Sequence, residues 1–500
     1  MGFLKGIAVT SNQATQNKYP VKHQRIGLFL GPLLFIFFML VDGNQVSMSQ
    51  AAWRTAGVAL WMAAWWATEA VPVPVTAFLP LITFDLLDIV SLKEAAAPYA
   101  HPTIYLFLGA FILAIAVERW DLHKRIALTI LSRVGTDGKR LVGGFMVVAA
   151  LLSMWMTNTS TTMMLMPISL SVATMIISNS NHLSEKQQDD FQVAMLLGLA
   201  FAATIGGLAT LVGTPPNALL AAYLSNTHSI EIGFAQWMLV GVPVSMIMLP
   251  IAWLVLTRWA FFVEIEETDA AKTYLKKLRT ELGSITVPES RVGIIFFLVV
   301  VMWMLRRPIT DLFGVSGLSD AGIVMAAALA LFVMPSGNQV QRSLMVWEDL
   351  NRLPWGVLLL FGGGLSLASA VSSSGLAEWL GGNLSPLIVF GIVILIVAST
   401  ALVIFLTELT SNLATTATFL PVVGAIALQA DIPLLTICVP VTLAASCAFM
   451  LPVATPPNAI VFASNKITIP QMIKAGVYLN TLGLILLVII GVWWAPQILL

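Results

Sequence analysis

Long apolar stretches recur along the whole chain and are separated by short polar connections. Stretches of about 18 or more apolar residues are typical of helices that cross a bilayer, whereas a soluble surface helix alternates apolar and polar positions. The pattern predicts an all-α polytopic membrane protein with about eleven crossings, near residues 26–41, 55–70, 71–88, 103–118, 192–212, 235–257, 292–305, 319–334, 354–371, 434–451 and 475–495.

Two further apolar segments, residues 141–178 and 386–430, are each interrupted by a dense cluster of Ser, Thr and Asn. We interpret both as re-entrant hairpins, which enter and leave the bilayer on the same side. Two other segments are amphipathic: the helix within 119–134, and the linker 258–291. Each is either an interfacial helix or a solvated linker helix, and the pattern leaves both open.

Composition supports a membrane protein. Hydrophobic residues form 58% of the 500 residues and charged residues only 10%, whereas a soluble domain is about a quarter charged. The 25 basic and 25 acidic residues cancel, so no net charge attracts nucleic acid. Soluble enzymes, disordered proteins and nucleic-acid binders are therefore disfavoured, and the lipid bilayer is the predicted partner.

The basic residues predict the orientation. With a cytoplasmic N-terminus, the external connections hold four of the 25 Lys and Arg residues (Arg54, Lys93, Arg306 and Arg307), and the other 21 are cytoplasmic. This asymmetry follows the positive-inside rule. It predicts a cytoplasmic segment 1–25, a cytoplasmic linker and an external C-terminus in the plasma membrane. The pair Arg306–Arg307 is a local exception.

The two halves of the chain share two motifs in the same order. Each half has a polar cluster with a proline nine residues after its Asn, and then a Thr-Pro-Pro-Asn sequence. The odd number of crossings before the second copy makes the repeats (26–257 and 292–500) opposite in orientation, which is typical of secondary transporters. The motifs are Thr157-Asn158-Thr159 with Pro167, Ser411-Asn412-Leu413 with Pro421, Gly213-Thr214-Pro215-Pro216-Asn217 and Ala454-Thr455-Pro456-Pro457-Asn458.

These motifs have a definite chemistry inside a bilayer. The paired prolines lack N–H groups and must break the helices within 192–225 and 434–465. Carbonyls freed at such a break can bind Na⁺, and helix N-termini can face an anion. We therefore expect a composite site for a carboxylate and sodium, with Asn158 and Asn412 as the leading candidates. The alternative is that these residues only hydrogen-bond neighbouring helices.

Acidic residues in apolar sequence are functional candidates by default. Glu69, Asp85 and Glu118 lie near span ends, so we expect them at the interface. Glu408 lies three residues before Ser411, and either a supporting role or direct contact with an ion fits it. The five histidines are scattered over predicted loops, and the two cysteines are interpreted as buried apolar residues. We find no acid–base or metal-ligating set of residues in the sequence that would indicate an enzyme.

The paired motifs resemble those of the divalent anion/sodium symporter family, over about residues 26–495. Members of that family carry succinate, malate, fumarate, citrate or sulfate. The resemblance implies a homodimer in which scaffold spans (26–118 and 292–371) hold a transport part that moves like an elevator. Two positions depart from the family pattern: Thr157 stands where Ser is usual, and Leu413 where Thr is usual.

The resemblance also implies three sets of site residues, matched by motif position. The implied substrate contacts are Asn158, Thr159, Thr214, Asn412, Leu413, Thr455 and Pro456. The first sodium site would comprise Ser153, Thr157, Asn158 and Gly206. The second would comprise Thr407, Thr410, Asn412 and Ala454.

The leading hypothesis is sodium-coupled symport of a C4-dicarboxylate such as succinate, malate or fumarate, by elevator-type alternating access. A sodium-independent dicarboxylate exchanger and a citrate or sulfate transporter remain open. An anion channel is a further alternative, because broken helices and hairpins also suit a pore.

Overall fold

A computed structural model describes residues 22–41, 47–179, 183–266, 269–314, 317–337, 341–384 and 391–499. These residues form helices joined by loops, with one isolated antiparallel bridge between Pro335 and Ser343. The all-helical prediction is therefore confirmed for the described part of the chain. Most of the predicted cytoplasmic segment 1–25 lies outside the described residues.

The first half of the chain runs from α1 to the linker helix α13. Its helices are α1 (Lys22–Leu40), α2 (Gln50–Thr68), α3 (Val73–Thr76), α4 (Leu79–Leu86), α5 (Leu92–Ala96), α6 (Pro102–Arg119), α7 (Leu122–Leu131), α8 (Gly138–Ser153), α9 (Asn158–Asn179), α10 (Glu185–Gly207), α11 (Pro215–His228), α12 (Phe234–Leu254) and α13 (Asp269–Glu281).

The second half runs from α14 to α23. Its helices are α14 (Val287–Phe313), α15 (Asp320–Val333), α16 (Trp355–Ser373), α17 (Leu376–Leu384), α18 (Ile392–Leu406), α19 (Asn412–Gln429), α20 (Leu434–Ala445), α21 (Pro456–Phe462), α22 (Ile469–Ile489) and α23 (Ala495–Leu499).

Nine helical segments among the described residues are long and apolar enough to cross a bilayer. Seven of them coincide with predicted crossings, and the other two, α9 and α19, are arms of the predicted hairpins. Two of the remaining predicted crossings correspond to shorter helices. Crossing 319–334 contains α15, with 14 residues, and crossing 434–451 contains α20, with 12. The chain is thus a multi-pass membrane protein, and the count of eleven stays a prediction.

Residues 71–88 differ from the predicted single crossing. The segment forms two short helices, α3 with four residues and α4 with eight. Pro72, Pro74 and Pro80 lie within the segment, and each proline removes a backbone donor and blocks the preceding helical turn. At the break, the Tyr99 hydroxyl donates to the Ala77 carbonyl, and α16 packs against α3. The apolar pattern therefore missed the break within this proline-rich segment.

Each predicted hairpin is divided into two helices at its polar cluster. In residues 141–178 the chain leaves α8 after Ser153 and begins α9 at Asn158. In the second segment, of which 386–390 lie outside the described residues, α18 ends at Leu406 and α19 begins at Asn412. Both second arms therefore begin at the Asn of their motif. The re-entrant course of these helix pairs stays a prediction.

The two amphipathic segments form helices that pack together. Helices α7 and α13 are in contact, and Arg125 of α7 donates to the Glu289 carboxylate and to the Gly283 carbonyl at 3.0 Å. Glu289 lies at the start of α14 and is only 3% exposed. An ion pair therefore joins one amphipathic helix to the first turn of α14.

The expected loop placement of the histidines is wrong for His23, His123 and His228, which lie in helices. The His123 ring is buried in α7 and lies 3.0 Å from the Val117 carbonyl. Burial lowers the pKa of His123 below its usual range. His101 caps α6, and His182 lies outside the described residues.

Arg306, one of the two basic residues that depart from the positive-inside pattern, pairs with an acidic residue. The Arg306 Nε lies 2.8 Å from Asp320 Oδ1, and Asp320 Oδ2 accepts the Phe234 N–H at 2.9 Å. The Trp303 indole donates to the Asp320 carbonyl at 3.0 Å. Because Asp320 begins α15, one acidic residue ties together α12, α14 and α15.

We expect Asp320→Ala to destabilise the protein by about 2 kcal/mol or more, because it leaves a half-buried guanidinium and a helix-terminal N–H without their acceptor. The check is the melting temperature of detergent-purified protein. The matched control is Asp311→Ala, which removes an exposed carboxylate from the same region. Equal melting temperatures for the two variants would contradict the tie between the three helices.

Candidate functional site

The motif residues form two half-sites. In each, the turn between the two helices of a predicted hairpin, here called the tip, faces the non-helical segment before the Thr-Pro-Pro-Asn helix, here called the break. The first half-site comprises the tip 153–158 and the break 207–214. The Thr210 hydroxyl donates to the Met154 carbonyl at 2.6 Å, which holds the break on the tip. A Cβ at Gly207 would lie 2.8 Å from Asn158 Oδ1, so the absence of a side chain lets the Asn158 amide approach the break.

The second half-site comprises the tip 407–412 and the break 446–455. The Thr407 hydroxyl bridges the Asn412 Oδ1 atom at 2.9 Å and the Ala445 carbonyl at 2.7 Å. In the first half-site, the Ser153 hydroxyl likewise donates to Asn158 Oδ1. In both tips a hydroxyl five residues before the Asn therefore orients its amide.

The two breaks are braced by the asparagines of the Thr-Pro-Pro-Asn motifs. Asn217 Nδ2 donates to the carbonyls of Gly207, Leu208 and Thr210 at 2.8–3.3 Å. Asn458 Nδ2 donates to the carbonyls ten and seven residues before it, at 3.2 and 3.1 Å. Both side chains are fully buried, and both Oδ1 atoms lack a hydrogen-bond partner. The same brace thus occurs in both halves.

The half-sites meet at the breaks. The hydroxyls of Thr214 and Ser446 lie 3.3 Å apart, and both residues are buried. The rings of Phe201 and Phe449 pack edge to face with centroids 5.1 Å apart. Helix α21 of the second half packs against α9 and α10 of the first. Motifs separated by about half the chain are therefore brought to one place.

The predicted substrate residues differ in exposure. Asn158, Thr159 and Asn412 are half-buried at the N-termini of α9 and α19, and Pro456 is exposed. Thr214 and Thr455 are buried caps of α11 and α21 with matching backbone angles: φ is −142° in both, and ψ is 138° and 150°. Leu413 is 5% exposed and belongs to the apolar core.

The predicted sodium ligands also lie at the tips and breaks. In the first set, Ser153 and Gly206 are buried, and the Thr157 hydroxyl accepts the Ser160 N–H at 3.1 Å. In the second set, the hydroxyls of Thr410 and Thr415 lie 2.6 Å apart, and Ala454 is buried. Ion contact at these residues stays a prediction.

Glu408, whose role the motif left open, supports the second break. Its carboxylate accepts the backbone N–H groups of Phe449, Met450 and Leu451 and the Asn480 side chain at 2.7–3.1 Å. Sequence reasoning missed Asn480, and it named Asn217 and Asn458 as motif residues without giving them a bracing role. An Asn inside an apolar helix such as α22 is a signal that could have pointed to Asn480.

The site has almost no fixed charge. The four segments 153–162, 206–217, 407–416 and 445–458 contain one charged residue, Glu408, and no Lys or Arg. Helices α9, α11 and α19, of 22, 14 and 18 residues, begin there and direct their positive dipole ends toward it. An anion at this position would be held by amides, hydroxyls and helix dipoles, together with bound cations.

Comparison with known proteins gives a consistent picture. The family model described as "Sodium:sulfate symporter transmembrane region" matches residues 24–500. A Staphylococcus saprophyticus protein named "Sodium-dependent dicarboxylate transporter SdcS" is 38% identical over 98% of this chain and 94% of its own length. The protein of the same name from Staphylococcus aureus strain USA300 is 38% identical over 95% of this chain and 92% of its own length.

A solved structure shares the fold. It is that of Neisseria gonorrhoeae MtrF, described as illuminating a class of antimetabolite efflux pumps. The similarity covers 81% of this chain and 83% of that chain with a TM-score of 0.53. Sequence identity is 13%, so this likeness concerns the fold alone.

We expect Asn217→Ala to lower the stability of the protein by about 2–3 kcal/mol, because the buried carbonyls of Gly207 and Thr210 lose their side-chain donor, while the Leu208 carbonyl keeps the Trp237 indole N–H at 3.1 Å. The check is thermal unfolding of the detergent-purified protein. Asn383→Ala is the matched control, since it removes an exposed amide that donates to the Trp379 carbonyl at 2.9 Å. If the two variants have the same melting temperature, Asn217 does not brace the break.

Proposed function

This chain belongs to the divalent anion/sodium symporter family, and from that premise we propose that it couples Na⁺ entry to uptake of a C4-dicarboxylate such as succinate, malate or fumarate. The observation that carries the proposal is the meeting of two matched half-sites, each with an oriented Asn at a helix N-terminus. Two half-sites suit a substrate with two carboxylates. The names of the relatives, which are sodium-dependent dicarboxylate transporters, support the same substrate and ion.

Each half-site would hold one carboxylate. Asn158 and Thr159 at the start of α9 would donate to the first, with Thr214 beside them. Asn412 at the start of α19 would donate to the second, with Thr455 and Pro456. Amide and hydroxyl groups can serve both a carboxylate and a cation, because they carry donors and acceptors without a fixed charge. Leu413 puts an apolar side chain where the family has a hydroxyl, so neighbouring donors would replace that hydroxyl.

The coupling ions would bind beside the substrate. Oxygen atoms from Ser153, Thr157, Asn158 and the Gly206 region would hold the first Na⁺. Oxygen atoms from Thr407, Thr410, Asn412 and the Ala454 region would hold the second. Oxygen ligands of this kind suit a hard cation. Bound Na⁺ would also supply the positive charge that the four motif segments lack.

Coupling to sodium has an energetic reason. Inward movement of a dianion opposes an inside-negative potential by about 2.3 kcal/mol per charge per 100 mV. More than two Na⁺ per dianion would make the cycle electrogenic and driven inward. An exchanger without sodium would have no such drive.

The proposed architecture is an inverted-repeat elevator in a homodimer. Residues 26–257 and 292–500 would form the repeats, with scaffold spans 26–118 and 292–371. The helix pairs, the broken spans 192–225 and 434–465 and the last span 475–495 would form the part that moves. Helices α7 and α13 would lie on the cytoplasmic side, where they join the two parts.

The test of function is uptake of labelled succinate into proteoliposomes with and without an inward Na⁺ gradient. We expect saturable, Na⁺-stimulated uptake in the wild type and its loss in Asn158→Ala and Asn412→Ala, because each substitution removes an amide shared by substrate and ion. Asn383→Ala is the control, and a wild-type-like melting temperature shows that a variant is folded.

Other results would identify the alternatives. Near wild-type uptake by either Asn variant would remove that half-site from the proposal. Unlabelled malate, citrate and sulfate rank the substrates by competition. Sodium-independent counterflow would favour an exchanger, and a linear, unsaturable flux would favour a channel.

The proposed orientation predicts that a cysteine at Lys276 is labelled only from the cytoplasmic side. Lys276 is exposed on α13, and the native Cys438 and Cys447 are fully buried and can be replaced by Ala. A cysteine at exposed Asp311, after the external Arg306, is the opposite-side control. Labelling of the Lys276 cysteine in intact cells by an impermeant reagent would invert the model of orientation.

A further inference from the structure

We infer that Glu408 is a positioning residue that makes cation binding in the second half-site depend on a fixed negative charge, a dependence that the first half-site lacks. The inference rests on the proposed function and adds to it that the two sodium sites are unequal. It follows from the hydrogen bonds of the carboxylate, from its counterpart position in the first half, and from its lack of an ion-pair partner.

The Glu408 carboxylate is saturated with donors. Its Oε1 atom accepts the N–H groups of Phe449 and Met450 at 2.8 and 2.9 Å and the Asn480 Nδ2 at 2.7 Å. Its Oε2 atom accepts the N–H groups of Met450 and Leu451 at 3.1 and 3.0 Å. A carboxylate offers about four lone-pair directions. Glu408 therefore acts on a nearby cation through its charge and through the backbone that it holds, and it leaves no free oxygen for direct ligation.

The backbone held by Glu408 lies next to the proposed ion ligands. Glu408 fixes the N–H groups of residues 449–451, while Asn458 fixes the carbonyls of Ala448 and Leu451. Thr407, adjacent to Glu408 in the chain, shares its one hydroxyl hydrogen between Asn412 Oδ1 and the Ala445 carbonyl. The carboxylate thus joins the tip, the break and α22 into one unit.

The first half-site is organised without a charge. Asn412 follows Asn158 by 254 residues, and the same offset places Glu408 opposite Met154. At that position the Met154 carbonyl accepts the Thr210 hydroxyl at 2.6 Å, and Thr210 Oγ1 accepts the Gly213 N–H at 3.0 Å. A neutral hydroxyl and a carbonyl therefore do there what a carboxylate does in the second half-site.

The charge of Glu408 has no cationic partner among the described residues. Glu408 is 3% exposed, and none of the ion pairs in this part of the chain includes it. A buried charge without a counter-ion is costly, and charges interact strongly over several ångströms where water is excluded. A cation that binds at the adjacent tip offsets that cost, so the carboxylate favours cation binding there.

The experiment compares the Na⁺ dependence of succinate uptake in wild type and Glu408→Gln proteoliposomes, with Glu69→Gln as the control because Glu69 is an exposed acid at the end of α2. We expect Glu408→Gln to raise the half-saturating Na⁺ concentration at least tenfold and to lower the Hill coefficient. Thermal stabilisation of the purified protein by Na⁺ without succinate should weaken in parallel.

A purely structural role predicts a different result. Glu408→Gln would then lower the melting temperature and the maximal rate but leave the half-saturating Na⁺ concentration within about twofold of wild type, which would overturn the inference. Two further variants keep the charge: Glu408→Asp, and Asn480→Ala, which removes one donor. Both should retain the wild-type Hill coefficient for Na⁺, and they can be measured even if Glu408→Gln does not fold. A lowered Hill coefficient in either variant would also overturn the inference.

The controls separate this inference from the proposed function. A wild-type protein without Na⁺-stimulated uptake would contradict the proposed function itself. A Na⁺-dependent wild type together with an unchanged Na⁺ dependence in Glu408→Gln would contradict the role of Glu408 alone.

Discussion

Every feature of the candidate site depends on the pairing of backbone groups that the broken helices set free. In an apolar environment an unpaired N–H or carbonyl costs several kcal/mol, so a break persists only where side chains replace the lost helical hydrogen bonds. Asn217 and Asn458 replace the donors, and Glu408 replaces the acceptors of the second break. Because these side chains are buried and oriented, the breaks become fixed, polar segments inside an otherwise apolar protein.

The two halves meet this requirement with partly different chemistry. The orienting hydroxyl, the tip Asn and the bracing Asn occur at equivalent positions in both, and Thr214 and Thr455 have nearly the same backbone angles. The second half adds a carboxylate where the first has Met154. Similar backbone shapes are thus combined with different local fields in the two half-sites.

A site without Lys or Arg would have to bind an anion through helix dipoles, neutral donors and mobile cations. A fixed guanidinium would hold a dianion tightly and would itself need a partner when the site empties. Helix N-termini, amides and hydroxyls offer weaker, adaptable donors. At the proposed site, cations that arrive and leave with the substrate would supply the remaining attraction, in keeping with the sodium-dependent relatives of this chain.

The sequence by itself determined the all-helical, multi-pass character of the protein and the positions of its breaks and tips. These properties are local: apolar length sets a span, paired prolines begin a new helix after a break, and α9 and α19 begin at the Asn of each motif. The same local reasoning missed the break between α3 and α4 within residues 71–88, and it left the role of Glu408 open. The partners of Glu408 lie 41–43 and 72 residues away, and Asn158 meets Gly207 across a gap of 49 positions. Only the tertiary structure decided those contacts, because a hydrogen bond between distant segments depends on how the helices pack and leaves no periodic signal along the chain.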